Sequence, residues 1–295
     1  MNFKDFTTEE ALLFSFFAMY LYGLEQNEEI LSELKAVIFH SDEANTDKDL
    51  KKAVKQYMKN HPTVVVDGCG MFLLDIDRNI VASNLEDMMQ FSISNVFLPE
   101  ELTAAHKKII KETKTSVYTN PDLYIEVVGI SDTPQYISLE LKSTKQDKIP
   151  GSSAQQANPY EWTLFVKHGG VGGIEIISGL YANTVTGRLP FPDRSPRPQV
   201  SFSQLKEWND NFRKYDENGM RLTINTKDLD EKALIISDWE RSLVKAWMEY
   251  IESDKAPNKW FDHTQRMFVV DLLSYYESLN EIEKKTFFEK NKKHI

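Results

Sequence analysis

The chain has 295 residues, a formal net charge of −10, 12% aromatic residues and one cysteine, Cys69. That length can bury a substantial core in one large domain or in two or three smaller units. A single cysteine excludes an intramolecular disulfide and a cysteine-based zinc cluster and fits a reducing cytoplasm, while the acidic balance argues against a nonspecific nucleic-acid coat protein.

Residues 1–60 read as helical. Thr7-Thr8-Glu9-Glu10 has the form of a capping box, followed by an apolar run over 11–24, a helix over 28–39 and another over 47–59 that ends before His61-Pro62. The run 11–24 is too short to span a membrane. Acidic rather than basic residues precede it, unlike a secretory signal. A soluble cytoplasmic protein with no membrane segment is expected. At Thr63 the pattern changes, and residues 63–66, 71–76 and 80–82 have the composition of strands, with Asp77-Arg78-Asn79 as a turn. Asp75-Ile76-Asp77 has the form of a phosphatase aspartate pair, but no downstream Thr, Lys or acidic motif completes such a site, and a hairpin turn accounts for it.

A helix over residues 99–114 starts at Pro99. Two strands follow, 122–128 and 136–142, around a turn at 129–134. Side chains alternate along a strand, so Ile137, Leu139 and Leu141 suit a core while Ser138, Glu140 and Lys142 share the other face. Antiparallel pairing brings Asp122 and Glu140 together at one edge, with Lys142 beside them. Phosphodiester hydrolysis needs such parts: two hard oxygen ligands for Mg²⁺ and a cation near the attacking water. The spacing alone does not select this site, because Glu33-Leu34-Lys35, Asp49-Leu50-Lys51, Glu112-Thr113-Lys114 and Asp230-Glu231-Lys232 share it. Only the segment at 122 and 140–142 has apolar-alternating, β-rich sequence around both halves. The alternative is a surface hairpin with solvated charges.

A loop over 143–150 leads into the polar segment 151–159. Strands over 161–167 and 173–178 then flank a glycine-rich turn. Residues 186–200 are rich in proline and arginine. From Ser201 the chain is helical again, with Ser237-Asp238-Trp239-Glu240 as a capping box and Trp239, Leu243, Trp247 and Ile251 on one face suited to a core or an interface. Between Lys142 and Lys206 there are eight Lys/Arg (142, 145, 148, 167, 188, 194, 197, 206) and four acids (147, 161, 175, 193). A surface facing DNA phosphates has this local bias.

A helix, a strand begun by Pro121-Asp122, a strand ending Glu140-Leu141-Lys142, then helix and strand: this order resembles the PD-(D/E)xK nuclease superfamily. The continuation through Ser143-Thr144, Asn158-Pro159 and Trp162 to Lys167 is similar to type II restriction endonucleases, especially the PvuII-like branch. The resemblance covers residues 98–180. It implies an α/β (α+β) fold, a restriction-endonuclease-like mixed sheet flanked by helices. The nuclease core would span 63–205, between a helical N-terminal region, 1–62, for dimerisation or DNA wrapping and a helical C-terminal region, 206–295.

Carried over to this chain, the resemblance implies that Asp122 and Glu140 bind Mg²⁺ with the backbone carbonyl of Leu141, and that Lys142 orients the attacking water. An upstream glutamate (Glu100, Glu101 or Glu112) would assist. Glu126, in phase with Asp122, is either a further ligand or a solvated strand residue. Amides of Gln and Asn can bond adenine edges and Ser either kind of base. Gln155, Gln156 and Asn158 are therefore candidate base readers and Ser152, Ser153 and Lys148 base or phosphate contacts, unless Ser152 or Ser153 simply caps a helix. Arg188, Arg194 and Arg197 suit phosphate or groove contacts. The expected activity is Mg-dependent cleavage of duplex DNA at a specific, palindromic site by a homodimer, with a DNA methyltransferase as its functional partner. A nuclease without sequence preference, in repair, recombination or defence, and a non-catalytic interaction protein are the competing classes.

Overall fold

The computed structural model describes residues 3–36, 48–64, 70–113, 121–129, 131, 133–154, 156–170, 173–187, 197–216, 219–253 and 259–293. Thr7 caps the first helix, α1 (Thr8–Gln26), with a capping box: its hydroxyl accepts from the Glu10 amide at 3.2 Å and its own amide donates to the Glu10 carboxylate at 2.8 Å. Phe14, Phe16, Phe17, Met19, Tyr20, Leu21 and Leu24 are all buried, so α1 is a core helix rather than a surface one. Its last turn is fixed by Glu25, which accepts from the Ser178 amide at 2.8 Å and from both terminal nitrogens of Arg213 at 2.7 and 2.5 Å. Next come α2 (Glu28–Ala36) and α3 (Lys48–Asn60); Leu50, Val54, Tyr57 and Met58 form the buried stripe of α3.

β1 (Met71–Ile76) and β2 (Asn79–Asn84) form a hairpin whose two turn residues, Asp77 and Arg78, adopt φ of 49° and 73°. This is the tight turn expected from sequence. Asp75 accepts from the Arg78 amide at 2.9 Å and pairs with Arg221, while Asp77 accepts from the Thr226 amide at 2.9 Å. Both aspartates therefore serve the fold. After α4 (Leu85–Met89) come β3 (Ser92–Phe97), α5 (Ala104–Thr113), β4 (Leu123–Val128), β5 (Gln135–Thr144), β6 (Lys148–Pro150), β7 (Trp162–Gly170) and β8 (Gly173–Leu180). The helix expected at Pro99 starts later, because Pro99–Glu101 forms a separate 3-10 turn before α5.

β3, β4, β5, β7 and β8 make a five-stranded sheet in that order. β4 is antiparallel to β3 and β5, β5 is parallel to β7, and β7 is antiparallel to β8. α1 and the β3–β8 sheet share one apolar core. A smaller core containing Phe165, Tyr181, Val200 and Phe202 includes Leu205 and Ile236. Those last two residues come from α6 (Phe202–Phe212) and α7 (Thr226–Ser237); β9 (Gln199–Ser201), β10 (Arg213–Asp216) and β11 (Gly219–Ile224) lie before and between these helices. β9 pairs with β6, while β10, β11, β1 and β2 form a four-stranded sheet in that order. The architecture is mixed α/β of the α+β kind.

Residues 1–239 form one compact unit and 240–295 another. The first takes in the N-terminal helices because their apolar faces complete the core of the sheet. The second comprises α8 (Trp239–Glu252) from its second residue onward, α9 (Lys259–Ser278) and α10 (Glu281–Lys292). Its α8 end is closed by Arg266, which donates to the carbonyls of Ile251 at 3.0 Å and Ser253 at 2.6 Å. The capping box expected at Ser237 does not form: α7 continues through Ser237, whose hydroxyl donates back to the Ala233 carbonyl at 3.0 Å. Among the described residues no helix is long and apolar enough to cross a membrane.

Candidate active site at the end of the central hairpin

β4 and β5 pair with Leu123 opposite Leu139 and Tyr124 opposite Ser138. One step further, beyond the end of the β4 ladder, the register sets Asp122 against Glu140. The Leu141 amide, which has no β4 residue to bond, donates instead to Asp122 Oδ2 at 2.8 Å. A strand residue's N–H and C=O point to the same side, so the Leu141 carbonyl faces the same edge as Asp122. On the next residue, Lys142 Nζ donates to Glu140 Oε1 at 2.7 Å and to Ser152 Oγ at 2.9 Å. Ser152 in turn donates to Glu140 Oε1 at 2.5 Å, and its amide donates to the Tyr181 hydroxyl at 2.7 Å.

Asp122, Glu140 and Lys142 are 6%, 6% and 3% exposed. Burying charge is costly unless it is paired, and each of the three is paired. The second cation comes from α3, where Lys51 Nζ lies 2.7 Å from Asp122 Oδ1. One turn on, Lys55 pairs with Glu101, whose carboxylate also accepts from the Leu98 amide at 2.7 Å. Burial, and then the nearby Glu140 carboxylate, push the Asp122 carboxyl above its ordinary value, with Lys142 and Lys51 pulling the other way. For Lys142, burial lowers the pKa, but Glu140, Tyr181 and Asp122 outweigh it and the ammonium is held above the ordinary lysine value. Burial raises the Tyr181 phenol. The group is thus an ammonium bound to the Glu140 carboxylate, beside a neutral phenol.

The site opens into a cavity of about 310 Å³ lined by Asp122 and Glu140, by Lys51 and Arg197, and by the turn containing Ser152, Ser153 and Gln156. Arg197 turns a buried Nε toward no hydrogen-bond partner among the described residues. Glu161, which immediately precedes β7, also lines the cavity. The roof is set by a close approach at Gly151. A Cβ there would lie 2.3 Å from the Tyr181 hydroxyl and 2.6 Å from the Pro198 carbonyl oxygen, so only glycine fits.

The structure therefore brings together Asp122, Glu140, Leu141 and Lys142, and adds Ser152 to their hydrogen bonds rather than leaving it on the outer surface. Ser153, Gln156 and Arg197 line the cavity. Asn158 is otherwise employed: its Oδ1 accepts from the Tyr160 amide at 3.1 Å and leads the chain into β7. Ser152, Ala154 and Gln156 lie in bends and turns, and the Ala157 amide bonds the Ser153 carbonyl at 2.8 Å, where a helix start was an alternative. Lys148 is exposed on β6 and does not line the cavity. Gln155, Arg188 and Arg194 lie outside the described residues, as does the side chain of Glu112. Glu100 is exposed, Glu101 is tied to Lys55, and Glu126 accepts from Tyr136 at 2.6 Å and from Ser94 at 2.6 Å, so none of the three lines the cavity.

Sequence reasoning missed Lys51, Glu161, Gly151 and Tyr181. The signal for Lys51 was present as a lysine pair, 51 and 55, spaced to share one helix face; the partner they would meet was not. Among the described residues no group of three or more His, Cys, Asp or Glu is placed to hold a metal. The oxygen donors at this site are two carboxylates and the Leu141 carbonyl. No family model matches this chain, and no curated protein or solved structure is significantly similar to it.

Proposed function

We propose that this protein is a Mg²⁺-dependent endonuclease of the PD-(D/E)xK kind that cleaves duplex DNA as a type II restriction enzyme, a homodimer on a palindromic site. One observation carries the reading: the Leu141 amide bound by Asp122, on the same strand as Glu140 and Lys142. Two carboxylates, a backbone carbonyl and an ammonium thus meet on the central strand where the β4 ladder ends, beside a cavity that Lys51 and Arg197 also line. The order of the five strands, an antiparallel hairpin followed by a parallel crossover, also supports a restriction-endonuclease-like core.

The residues fit a divalent cation. Burial first, and then the neighbouring Glu140 carboxylate, raise the Asp122 pKa, a cost that a cation would relieve, and hard oxygen donors suit Mg²⁺. Asp122, Glu140 and the Leu141 carbonyl would hold it. When bound, it would neutralise the phosphodiester and lower the pKa of an attacking water.

The chain's own groups do the rest. Lys142, kept charged by Glu140, orients the nucleophile and offsets charge developing on the phosphorus-bound oxygens. Ser152 keeps Glu140 and Lys142 in register. Arg197 and Lys51 face the cavity as donors for the non-bridging phosphate oxygens, where a forked guanidinium is well matched. Ser153 and Gln156, on the turn over the cavity, are the described candidates for reading base edges.

A plasmid digest tests the reading. Wild type with Mg²⁺ gives discrete bands, and Glu140→Gln, which keeps an oxygen for Ser152 and Lys142, gives none while retaining its circular dichroism spectrum. A smear from wild type would favour a nuclease without sequence preference. Undiminished cleavage by both Glu140→Gln and Lys142→Met would sink the site.

A further inference from the structure

A second concavity, of about 360 Å³, lies among α6, α7 and the 3-10 turn Tyr181–Thr184. That volume is within the range of small-molecule sites. Its floor holds Asn183, 1% exposed. Lys232 Nζ donates to Asn183 Oδ1 at 3.4 Å, which fixes the amide so that Nδ2 is the free end. That Nδ2 is buried and has no hydrogen-bond partner among the described residues, although buried donors are ordinarily satisfied. Trp208 and Phe212 give one wall, and the exposed carboxylates Asp228 and Glu231 stand at the rim.

These groups specify a ligand in three parts. Two donors, Asn183 Nδ2 and the Lys232 ammonium, want an acceptor at the deep end. Two carboxylates want a donor at the mouth. The Trp208 indole on the wall offers a face for a flat ring. We propose that this groove binds a flat heteroaromatic ring with a carbonyl oxygen on one edge and N–H groups on another, the chemistry of an oxo-bearing nucleobase. Burial pulls the Lys232 ammonium below the ordinary lysine value, with Asp228 and Glu207 opposing it. The ring can come from a free nucleoside or from a base turned out of a strand. The inference does not rest on the carboxylate site, and the inactive Glu140→Gln protein serves equally well in its test.

Calorimetric titration of the full chain decides it, with cytidine and adenosine as one arm. A single strand of adenines and the same strand carrying one cytosine form the other. Adenine has no carbonyl, so cytosine should bind at least about tenfold more tightly, with one site per chain. Preference in the first arm identifies a nucleoside site and preference in the second alone a strand-borne base. Asn183→Leu and Lys232→Met should each remove most of the preference; the latter, half-buried at the surface, serves if the former does not fold. Equal binding of cytosine and adenine in both arms, no binding in either, or a preference that survives Lys232→Met overturns the proposal.

Discussion

Lys51 Nζ lies 2.7 Å from Asp122 Oδ1, so a helix near the start of the chain closes an ion pair on the residue that precedes β4. The carboxylate edge is therefore held by ammonium groups on both sides, Lys51 at Asp122 and Lys142 at Glu140. Any divalent cation binding there must compete with them.

That competition is measurable. Lys51→Ala removes one competitor, so Mg²⁺ should raise the melting temperature more in this variant than in wild type. Scanning fluorimetry across a Mg²⁺ titration checks it. An equal shift in both proteins would mean that Lys51 and the metal do not share Asp122.

Asp122 gives a pH prediction. Its folded-state pKa is raised by burial and then by Glu140, so the folded protein holds this proton more tightly than the unfolded chain. Stability from the neutral form is present at low pH and is lost as pH rises from the ordinary aspartate value through the folded one. Asp122→Asn should accordingly be more stable than wild type above that window, by about 2–4 °C in melting temperature for each kcal/mol relieved. It should also lose the response to Mg²⁺. Thermal melts from pH 4 to pH 8 show whether the two proteins diverge in this direction.

Ser152 links Glu140 and Lys142 without carrying charge. Hydrogen bonds to charged groups contribute about 1.5–3 kcal/mol, so Ser152→Ala should slow single-turnover cleavage by about ten- to a hundredfold. Binding of a DNA duplex in Ca²⁺ should change little. Weakened binding with an unchanged rate would assign Ser152 to DNA contact instead.

Gly151→Ala places a methyl group 2.3 Å from the Tyr181 hydroxyl. Overpacking of this kind costs about 1–3 kcal/mol, and because the displaced phenol anchors the Ser152 amide, activity should fall with stability. Tyr181→Phe in the same background removes the crowded oxygen and should restore part of the melting temperature.

The hairpin was legible because it is local: alternation in 136–142 fixes which side chains share a face, and the register puts Asp122 opposite Glu140 without knowledge of the rest. Lys51 was not, though Asp49-Leu50-Lys51 was noticed as a copy of the acidic-x-Lys spacing. Its role depends on where α3 docks, which the sequence near it does not encode. Ser152, expected as a base or phosphate contact, and Asn158, expected as a base reader, carry bonds within the fold that the sequence did not disclose. Polar residues over a site look like ligand contacts, yet one completes the Glu140–Lys142 pair and the other starts a strand. The helical region expected over residues 1–62 hides a related long-range contact. The apolar run 11–24 reads as a helix from periodicity, but that it lies buried in the core of the sheet is a long-range fact.

Because β5 and β7 run parallel, the chain must travel back along the whole sheet between them, and its return path passes over the carboxylates. A tight turn could never replace that path. Gly151 and Ser152 lie on that path, so the strand supplies Glu140 and Lys142 while the excursion after it supplies the hydroxyl that bonds both. The carboxylate cluster is thus a joint product of a strand and of the detour that parallel pairing forces on the chain, and neither part makes it alone.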